Sequence, residues 1–181
     1  MHLSIYTDGG CSGNPGLGGW AYMIVSSGKK GKKKTVALRP PPGELFPREG
    51  SPGKLICEKW GAERNTTNNR MELYAAVAAL EALTKQGLSP ESVTVYTDSQ
   101  YVQKGMTDWI NGWKRNGWRT SDRKPVKNQE LWLRLDELAP KFAVKWQWVR
   151  GHAGNEFNER CDQMTREAIA NLRKKRYREK E

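Results

Sequence analysis

Hydrophobic residues recur along the chain in two patterns, one typical of β-strands and the other of amphipathic helices. Short runs rich in β-branched and aromatic residues, bounded by glycine, proline or aspartate, predict strands. A glycine-rich turn separates the first two runs, which predicts an antiparallel hairpin. The predicted strands are Leu3–Thr7, Trp20–Val25, Leu55–Trp60, Val93–Thr97 and Val144–Trp148.

Apolar residues three and four positions apart predict helices between and after the later strands. The strongest candidate is Arg70–Lys85, which follows a run of capping residues and ends before Gly87. Strands that alternate with helices after an opening hairpin indicate a mixed α/β sheet rather than a bundle or a barrel. The remaining predicted helices are Ser99–Gly105, Trp109–Trp113, Gln129–Leu138 and one from about Glu159 onwards.

Two changes of composition mark the organisation of the chain. The stretch at about 26–53 is rich first in lysine and then in proline and glycine, which predicts an exposed excursion without helix or strand. Residues 171–181 form a basic tail. Because 181 residues suit one domain with a sizeable core, we expect a single domain over residues 1–170. The excursion is then an insertion within it.

Several features exclude a membrane or disulfide-stabilised protein. The richest apolar stretch, Leu73–Leu83, is shorter than the roughly 20 residues that a membrane span needs. The first residues lack the basic start and apolar run of a secretory signal. Three widely separated cysteines cannot form a closed disulfide framework. We therefore expect a cytoplasmic protein with free thiols and no membrane association.

The charge is strongly positive and unevenly distributed. The chain carries 31 basic and 20 acidic residues, a net charge of +11. Segments Lys29–Lys34, Lys114–Lys127 and Arg173–Glu181 together hold 17 of the basic residues and three acidic ones. Concentrated basic segments on an otherwise mildly acidic body favour a polyanionic partner. For each segment alone, a solvated run of charge is the alternative.

Two predicted strands end in the same sequence, and each of these ends carries a candidate site residue. Tyr6-Thr7-Asp8 and Tyr96-Thr97-Asp98 each deliver an aspartate after a predicted strand. The helix between the strands permits a crossover that makes them parallel, so both aspartates lie at one sheet edge, where ligands of such sheets bind. Two carboxylates placed there repel each other, which favours a divalent cation. As alternatives, Asp8 is a turn residue and Asp98 a helix cap.

Further candidates lie on predicted helices and in one loop. Glu72 and Asp162 each lie in the first turn of a predicted helix, where stabilisation of the helix dipole is the alternative role. His152 lies in a glycine-flanked loop, either as a surface residue or as a group that transfers protons near neutral pH. Carboxylate-only ligation suits Mg²⁺ or Mn²⁺ rather than zinc. Two such ions promote in-line displacement at phosphorus.

Seven motifs, in order from Leu3 to about Ile169, together resemble bacterial ribonuclease HI. Their number and order make the resemblance highly specific. They are Tyr6-Thr7-Asp8-Gly9, Gly13-Asn14-Pro15-Gly16, Thr66-Thr67-Asn68-Asn69-Arg70-Met71-Glu72-Leu73, Thr97-Asp98-Ser99-Gln100-Tyr101-Val102, Trp109-Ile110-Asn111 with Trp113-Lys114, Lys124-Pro125-Val126-Lys127-Asn128, and Val149-Arg150-Gly151-His152-Ala153-Gly154 with Asn158-Glu159-Arg160-Cys161-Asp162.

The resemblance implies a ribonuclease H-like α/β fold, a five-stranded mixed sheet flanked by helices. It also implies an endonuclease that hydrolyses the RNA strand of RNA–DNA hybrids with little sequence specificity, giving 5′-phosphate and 3′-hydroxyl ends. Two Mg²⁺ ions are the implied cofactors, with Mn²⁺ as an alternative. The implied partner is the hybrid duplex, and we expect a monomer without an obligate protein partner.

Residue by residue, the resemblance assigns the metal ions to Asp8, Glu72, Asp98 and Asp162, and proton transfer or product release to His152. It assigns contacts with the minor groove and the RNA 2′-hydroxyls to Asn14, Asn68, Asn69 and Gln100. It also assigns a backbone contact to Cys11, a DNA-phosphate pocket to Thr67 and Asn128, and a channel along the DNA strand to Trp109. Amide side chains suit 2′-hydroxyls because they both donate and accept hydrogen bonds.

The chain departs from the family in three places, and two other functions stay open. The insertion is much longer than the turn that usually joins the second and third strands of the family, and the tail Arg173–Glu181 has no counterpart. Asn65 stands where relatives often carry a basic residue. The tail either contacts a duplex or is a solvated helix end. Trp113 and Trp118, in a segment that resembles the basic protrusion of the family, either pack in the core or contact the hybrid. The alternative functions are a non-catalytic duplex-binding module and an integrase-like polynucleotidyl transferase.

Overall fold

The computed structural model describes residues 1–26, 53–151 and 154–178, with side chains through residue 175. The predicted insertion at about 26–53 therefore lies almost entirely outside the described residues. Within them, five strands and five α-helices follow the predicted order. They are β1 (His2–Gly13), β2 (Gly16–Ser26), β3 (Lys54–Thr66), α1 (Asn68–Lys85), β4 (Ser92–Thr97), α2 (Gln100–Lys104), α3 (Ile110–Arg115), α4 (Gln129–Leu138), β5 (Val144–Trp148) and α5 (Glu156–Arg178).

The strands form one mixed sheet in the order β3-β2-β1-β4-β5, which confirms the predicted fold class. The first three strands pair antiparallel, whereas β1 pairs with β4, and β4 with β5, in parallel. The strand β1 is longer than the predicted Leu3–Thr7, because residues up to Gly13 continue to pair with β2. The strand β3 likewise extends beyond the predicted Leu55–Trp60 along the same partner.

Helices cover both faces of the sheet, because alternate residues of each strand point to opposite sides. On one side, Tyr22 and Ile24 of β2 belong to the main core with α1 and α4. On the other side, Ala21 and Met23 pack with Cys161 and Met164 of α5. In the described part of the chain, no helix is both long and apolar enough to cross a membrane.

The helical region after β4 is continuous, which differs from the two separate helices of the prediction. A π-helical turn, Gly105–Trp109, joins α2 to α3 without a break. Gly105 is buried there against the ring of Trp132, which is itself fully buried. A β-carbon at Gly105 would overlap the benzene ring of the Trp132 indole, so the wide turn leaves room only for hydrogen.

We predict that Gly105→Ala destabilises the protein by about 1–3 kcal/mol, the usual effect of overpacking a core. The change would force Trp132 or the π-helical turn to move. Thermal or denaturant unfolding of the variant measures this effect.

Gly112→Ala is the matched control in the next helix, because a β-carbon there would meet nothing within 4 Å. We expect this control to be neutral or slightly stabilising, since alanine favours a helix over glycine. Equal stability of the two variants would contradict the packing described for Gly105.

Candidate active site

Asp8 and Asp98, the aspartates of the two similar strand ends, lie side by side at one edge of the sheet. Thr7 of β1 pairs in register with Thr97 of β4, so Asp8 and Asp98 each follow paired residues of neighbouring parallel strands. Asp8 lies within β1 and pairs with Ala21 of β2, whereas β4 ends before Asp98. The expectation that Asp8 is a turn residue is therefore wrong, because the strand continues past it.

Glu72 reaches the same edge because the start of α1 lies directly on β1. The helix begins at Asn68 rather than Arg70, so Glu72 lies in its second turn and the alternative of a role in the first turn is wrong. A β-carbon at Gly9 would be 2.7 Å from Glu72 Cα, so only glycine permits this approach. The helix is anchored by Thr67, whose Oγ1 accepts a hydrogen bond from the Arg70 N–H at 3.3 Å. Met71 and Leu73, on either side of Glu72, are fully buried and hold the turn against the core.

Three carboxylates converge at this edge and form the acidic cluster, Asp8, Glu72 and Asp98. One ligand oxygen from each residue lies within 4.8 Å of the others, as a shared metal ion requires. Asp8 and Glu72 are buried and Asp98 is half-buried. Glu72 Oε2 is buried and has no hydrogen-bond partner among the described residues.

The electrostatics of the acidic cluster favour a cation. Burial raises the pKa of Glu72 well above its usual range, and the neighbouring Asp8 and Asp98 carboxylates raise it further. A hydrogen bond from the Gly9 backbone acts in the opposite direction but does not cancel these effects. A divalent cation would compensate the converging negative charges, and oxygen ligands suit a hard ion such as Mg²⁺.

Asp98 is held through its backbone carbonyl, and the cap of the following helix is its neighbour Ser99. The Trp148 Nε1 donates a hydrogen bond to the Asp98 carbonyl oxygen at 2.9 Å. Ser99 is the N-cap of α2, with its Oγ accepting from the Val102 N–H at 3.2 Å. The capping role proposed as an alternative for Asp98 therefore belongs to Ser99.

Asp162 lies beside the acidic cluster on the opposite helical layer. The helix α5 begins at Glu156, not at about Glu159, so Asp162 is in its second turn rather than its first. This placement removes the alternative of a role in the first turn of the helix. Asp162 lines a cavity of about 530 Å³ together with Asp8 and forms an ion pair with Arg166 at 2.8 Å.

Several predicted substrate contacts surround the same cavity. The Asn14 Oδ1 accepts a hydrogen bond from the Asn68 N–H at 3.3 Å, which joins the β1–β2 turn to the start of α1. Cys11 and Asn68 line the cavity with Asp8. Asn69 in α1 and Gln100 at the start of α2 are exposed. His152 lies outside the described residues.

Thr67 and Asn128, the predicted phosphate pocket, are connected by a residue that the sequence reasoning missed. Arg70 N–H bonds to Thr67, and Arg70 Nη1 donates to Asn128 Oδ1 at 3.5 Å. The same guanidinium pairs with Glu130. Asn128 also donates to the Tyr101 hydroxyl at 3.4 Å. The motif contains Arg70, but its partners are distant in sequence, so no local signal revealed this role.

The tryptophans of the basic segment divide into packed and exposed side chains. Trp113 and Trp118 are partly buried against the main core, so the packing alternative holds for them. Trp109 is 38% exposed and contacts Tyr101 edge-on with ring centroids 6.2 Å apart. Of these three residues, Trp109 therefore offers the most accessible ring face.

The sheet order and the carboxylates gathered at its edge define the class of ribonuclease H-like folds. A family model described as RNase H matches residues 1–170, so the chain belongs to the RNase H family. Its enzymes are nucleases that hydrolyse RNA in RNA–DNA hybrids, and membership selects this activity over the two alternatives left open by the sequence.

Curated relatives agree over nearly the whole chain. The chain is 50% identical over 171 residues to a ribonuclease H of Bradyrhizobium diazoefficiens, covering 94% of this chain and 92% of the relative. It is 48% identical over 168 residues to a ribonuclease H of Cereibacter sphaeroides, covering 93% and 95% respectively.

Solved structures share the fold. LC9-RNase H1, a type 1 enzyme with the type 2 active-site motif, is 28% identical with a TM-score of 0.71, covering 94% of this chain and 72% of that chain. LC11-RNase H1, solved with an RNA/DNA hybrid, is 22% identical with a TM-score of 0.63, covering 94% and 98%.

We predict that Glu72→Gln stabilises the protein when divalent cations are removed by a chelator. A carboxyl whose pKa is raised by folding loses its stabilising contribution as the pH rises through that pKa. The unfolding midpoint of the wild type should therefore fall with rising pH more than that of the variant. Thermal unfolding from pH 5 to pH 9 checks this difference, at about 2–4 °C per kcal/mol for a chain of this size.

The control for this measurement is Glu167→Gln, which removes an exposed carboxylate of α5 that accepts a hydrogen bond from Gln163. This control should follow the pH dependence of the wild type. If the unfolding midpoint of Glu72→Gln fell more steeply with rising pH than that of the control, the effect assigned to the acidic cluster would be contradicted.

Proposed function

We propose that this chain binds RNA–DNA hybrids and cleaves their RNA strand with two divalent cations, preferably Mg²⁺, held by Asp8, Glu72, Asp98 and Asp162. The single observation that carries the proposal is the convergence of three carboxylate oxygens within 4.8 Å, two of the side chains being buried. The products are 5′-phosphate and 3′-hydroxyl ends, and the cleavage has little sequence specificity.

The available donors fit hard divalent cations. All four side chains offer only oxygen, and one buried oxygen of Glu72 has no partner in the described residues. Asp162 lines the cavity with Asp8 and reaches it from α5, so it can supply a fourth carboxylate. When bound, such ions activate the attacking water and stabilise the leaving oxygen.

The residues of the chain position the phosphate and the strands around this chemistry. Asp8 and Glu72 lie on elements packed in the core and Asp98 directly follows such an element, so the three carboxylates are positioned before substrate arrives. His152 assists proton transfer at the leaving group or the release of product. The cavity is open to a nucleic-acid backbone rather than closed around a small molecule, since exposed residues such as Asn68 and Arg166 line it.

Three kinds of group recognise the hybrid in this proposal: amide side chains, a phosphate pocket and the aromatic ring of Trp109. The RNA 2′-hydroxyls are contacted by the amides of Asn14, Asn68, Asn69 and Gln100, with Cys11 at the backbone. Thr67 and Asn128 hold a DNA phosphate, and Arg70 orients both. Trp109 packs along the DNA strand. These groups recognise shape and sugar rather than base edges, which accounts for the low sequence specificity.

One chain supplies every residue of this proposed site. We therefore propose that the enzyme acts as a monomer, without an obligate protein partner. The cytoplasmic location stays a prediction from the sequence. The experiment that tests the function is incubation with a labelled hybrid, with and without Mg²⁺, beside matched RNA and DNA duplexes. Cleavage of the hybrid RNA strand alone, and only with the cation, is the expected result.

We predict that Asp98→Asn lowers the cleavage rate by more than about a hundredfold while hybrid binding survives or improves. The change removes a charged ligand but keeps the size of the side chain, and it reduces repulsion of the phosphate backbone. Cleavage assays and binding titrations of the same variant separate the two effects.

The matched control is Glu91→Gln, at the opposite end of β4, where Glu91 pairs with the N-terminal amine at 2.7 Å. It should cleave at the rate of the wild type. Near wild-type cleavage by Asp98→Asn would show that Asp98 is not a metal ligand.

We predict that His152→Ala slows turnover by about 10²–10⁴-fold, the usual contribution of general acid–base catalysis. The affinity for Mg²⁺ should be unchanged, because the histidine is not assigned to the metal ions. Calorimetric titration with Mg²⁺ checks this, and loss of metal binding in the variant would refute the role in proton transfer.

A further inference from the structure

A second groove continues from the active-site cavity along α5. It has a volume of about 590 Å³ and is lined by Ser12, Gly16, Leu17, Arg64, Asn65 and Arg173. We call it the outer groove. Ser12 and Arg173 also line the cavity that contains Asp8 and Asp162, so the two spaces are contiguous. A nucleic-acid strand that leaves the acidic cluster along α5 would therefore enter the outer groove.

Arg173 is held at the junction of the two spaces. Its Nη2 donates a hydrogen bond to the Ser12 Oγ at 2.7 Å, which fixes the guanidinium beside the β1–β2 turn. This partner is a neutral hydroxyl, so the contact orients the positive charge without neutralising it. By comparison, Arg166, two turns earlier in α5, forms an ion pair with Asp162 at 2.8 Å.

A second arginine approaches the same groove from β3. Arg64 is exposed and lines the groove next to Asn65, whose backbone has a positive φ of 55°. The remaining lining residues, Ser12, Gly16 and Leu17, are uncharged. Two guanidinium groups facing one open groove favour an anion, and their planar donor sets suit phosphate.

We infer that the outer groove binds the phosphate backbone of the RNA strand beyond the scissile phosphate, with Arg173 as its principal contact. This inference rests on the proposed function, because the strand that passes the acidic cluster is then the RNA strand. Arg173 follows Asp162 by about three turns of α5, or about 16 Å at 1.5 Å per residue. The phosphate it binds therefore lies several nucleotides from the cleavage site, at about 3.4 Å of axial rise per nucleotide.

The same placement favours the first of the two roles that the sequence left open for the basic tail, contact with a duplex. The family model ends at residue 170, whereas α5 continues to Arg178 as one helix. The continuation brings Arg173 onto the hairpin turn rather than away from the domain. In this inference Arg173, the first basic residue of the tail, belongs to the substrate surface next to the cavity of the active site.

The test uses the full-length protein and compares Arg173→Ala with Lys174→Ala. Lys174 is an equally exposed cation on the neighbouring position of α5, about 100° around the helix, and does not line the groove. Hybrid affinity is measured over a range of salt concentrations. We plot the logarithm of the binding constant against the logarithm of the salt concentration. We expect the slope for Arg173→Ala to be shallower than that of the wild type by about 0.7–0.9, the value of one phosphate contact. The slope of Lys174→Ala should match the wild type.

A second measurement locates the contact. Single neutral methylphosphonate linkages are placed at successive positions of the RNA strand, on both sides of a unique cleavage site. A neutral linkage at one position several nucleotides from the cleavage site should weaken binding to the wild type but not to Arg173→Ala. The effects of the neutral linkage and of the substitution are then not additive. Additive effects at every position, or equal salt slopes for all proteins, would overturn the inference.

Two further variants separate binding from structure and from catalysis. Ser12→Ala removes the hydrogen bond but keeps the arginine. If it lowers the unfolding midpoint as much as Arg173→Ala while neither changes the salt slope, the contact is structural and the inference is wrong. Repeating the binding series in Asp98→Asn makes it independent of cleavage. Failure of the wild type to cut hybrids would reject the proposed function, whereas loss of the Arg173 effect alone would reject only the outer groove.

Discussion

The three carboxylates of the acidic cluster repel each other, and the rest of the fold holds them together in spite of this. Asp8 comes from a central strand, Asp98 follows the end of its parallel neighbour, and Glu72 comes from the second turn of α1. The close approach of Gly9 to that turn fixes the distance between strand and helix. Burial and the neighbouring carboxylates raise the pKa of Glu72, so full ionisation of the cluster is costly and a divalent cation would offset that cost.

The two-sided core explains how carboxylates from different layers reach one edge. The main core attaches α1 to one face of the sheet, and a smaller cluster around Cys161 and Met164 attaches α5 to the other. Glu72 therefore arrives from one layer and Asp162 from the other, with Asp8 between them. An ion pair between Arg160 and Glu58, at 3.0 Å, further ties α5 to the edge strand β3. The position of the cavity is thus determined by the packing of both helices.

Charge is arranged around this centre in a way that suits a polyanionic substrate. An acidic cluster alone would repel a phosphate backbone, so productive binding depends on cations at the centre and on basic groups at the periphery. The chain carries a net charge of +11, and arginines from α5 and β3 line the space next to the active site. The exposed ring of Trp109 and the linked pair Thr67 and Asn128 lie on the α1–α4 side.

Local patterns in the sequence were enough to predict the strand and helix order, the parallel relation of β1 and β4, and the convergence of Asp8 and Asp98. These follow from local periodicity and from the crossover helix, which constrain each element separately. The motifs also identified Glu72 and Asp162, although Asp162 proved to lie one turn deeper in its helix. Strand lengths were underestimated, because residues after Thr7 and Trp60 owe their extended conformation to partners on β2 rather than to their own propensity.

How closely these elements approach, and which side chains share a space, depends on the packing of the whole fold. The contact of Gly9 with α1, the packing of Trp113 and Trp118, and the bridge from Arg70 to Asn128 join residues distant in sequence. The same is true of Arg173 and Ser12, which are 161 positions apart. Such contacts depend on the summed packing of both faces of the sheet. No local pattern of residues contains that information.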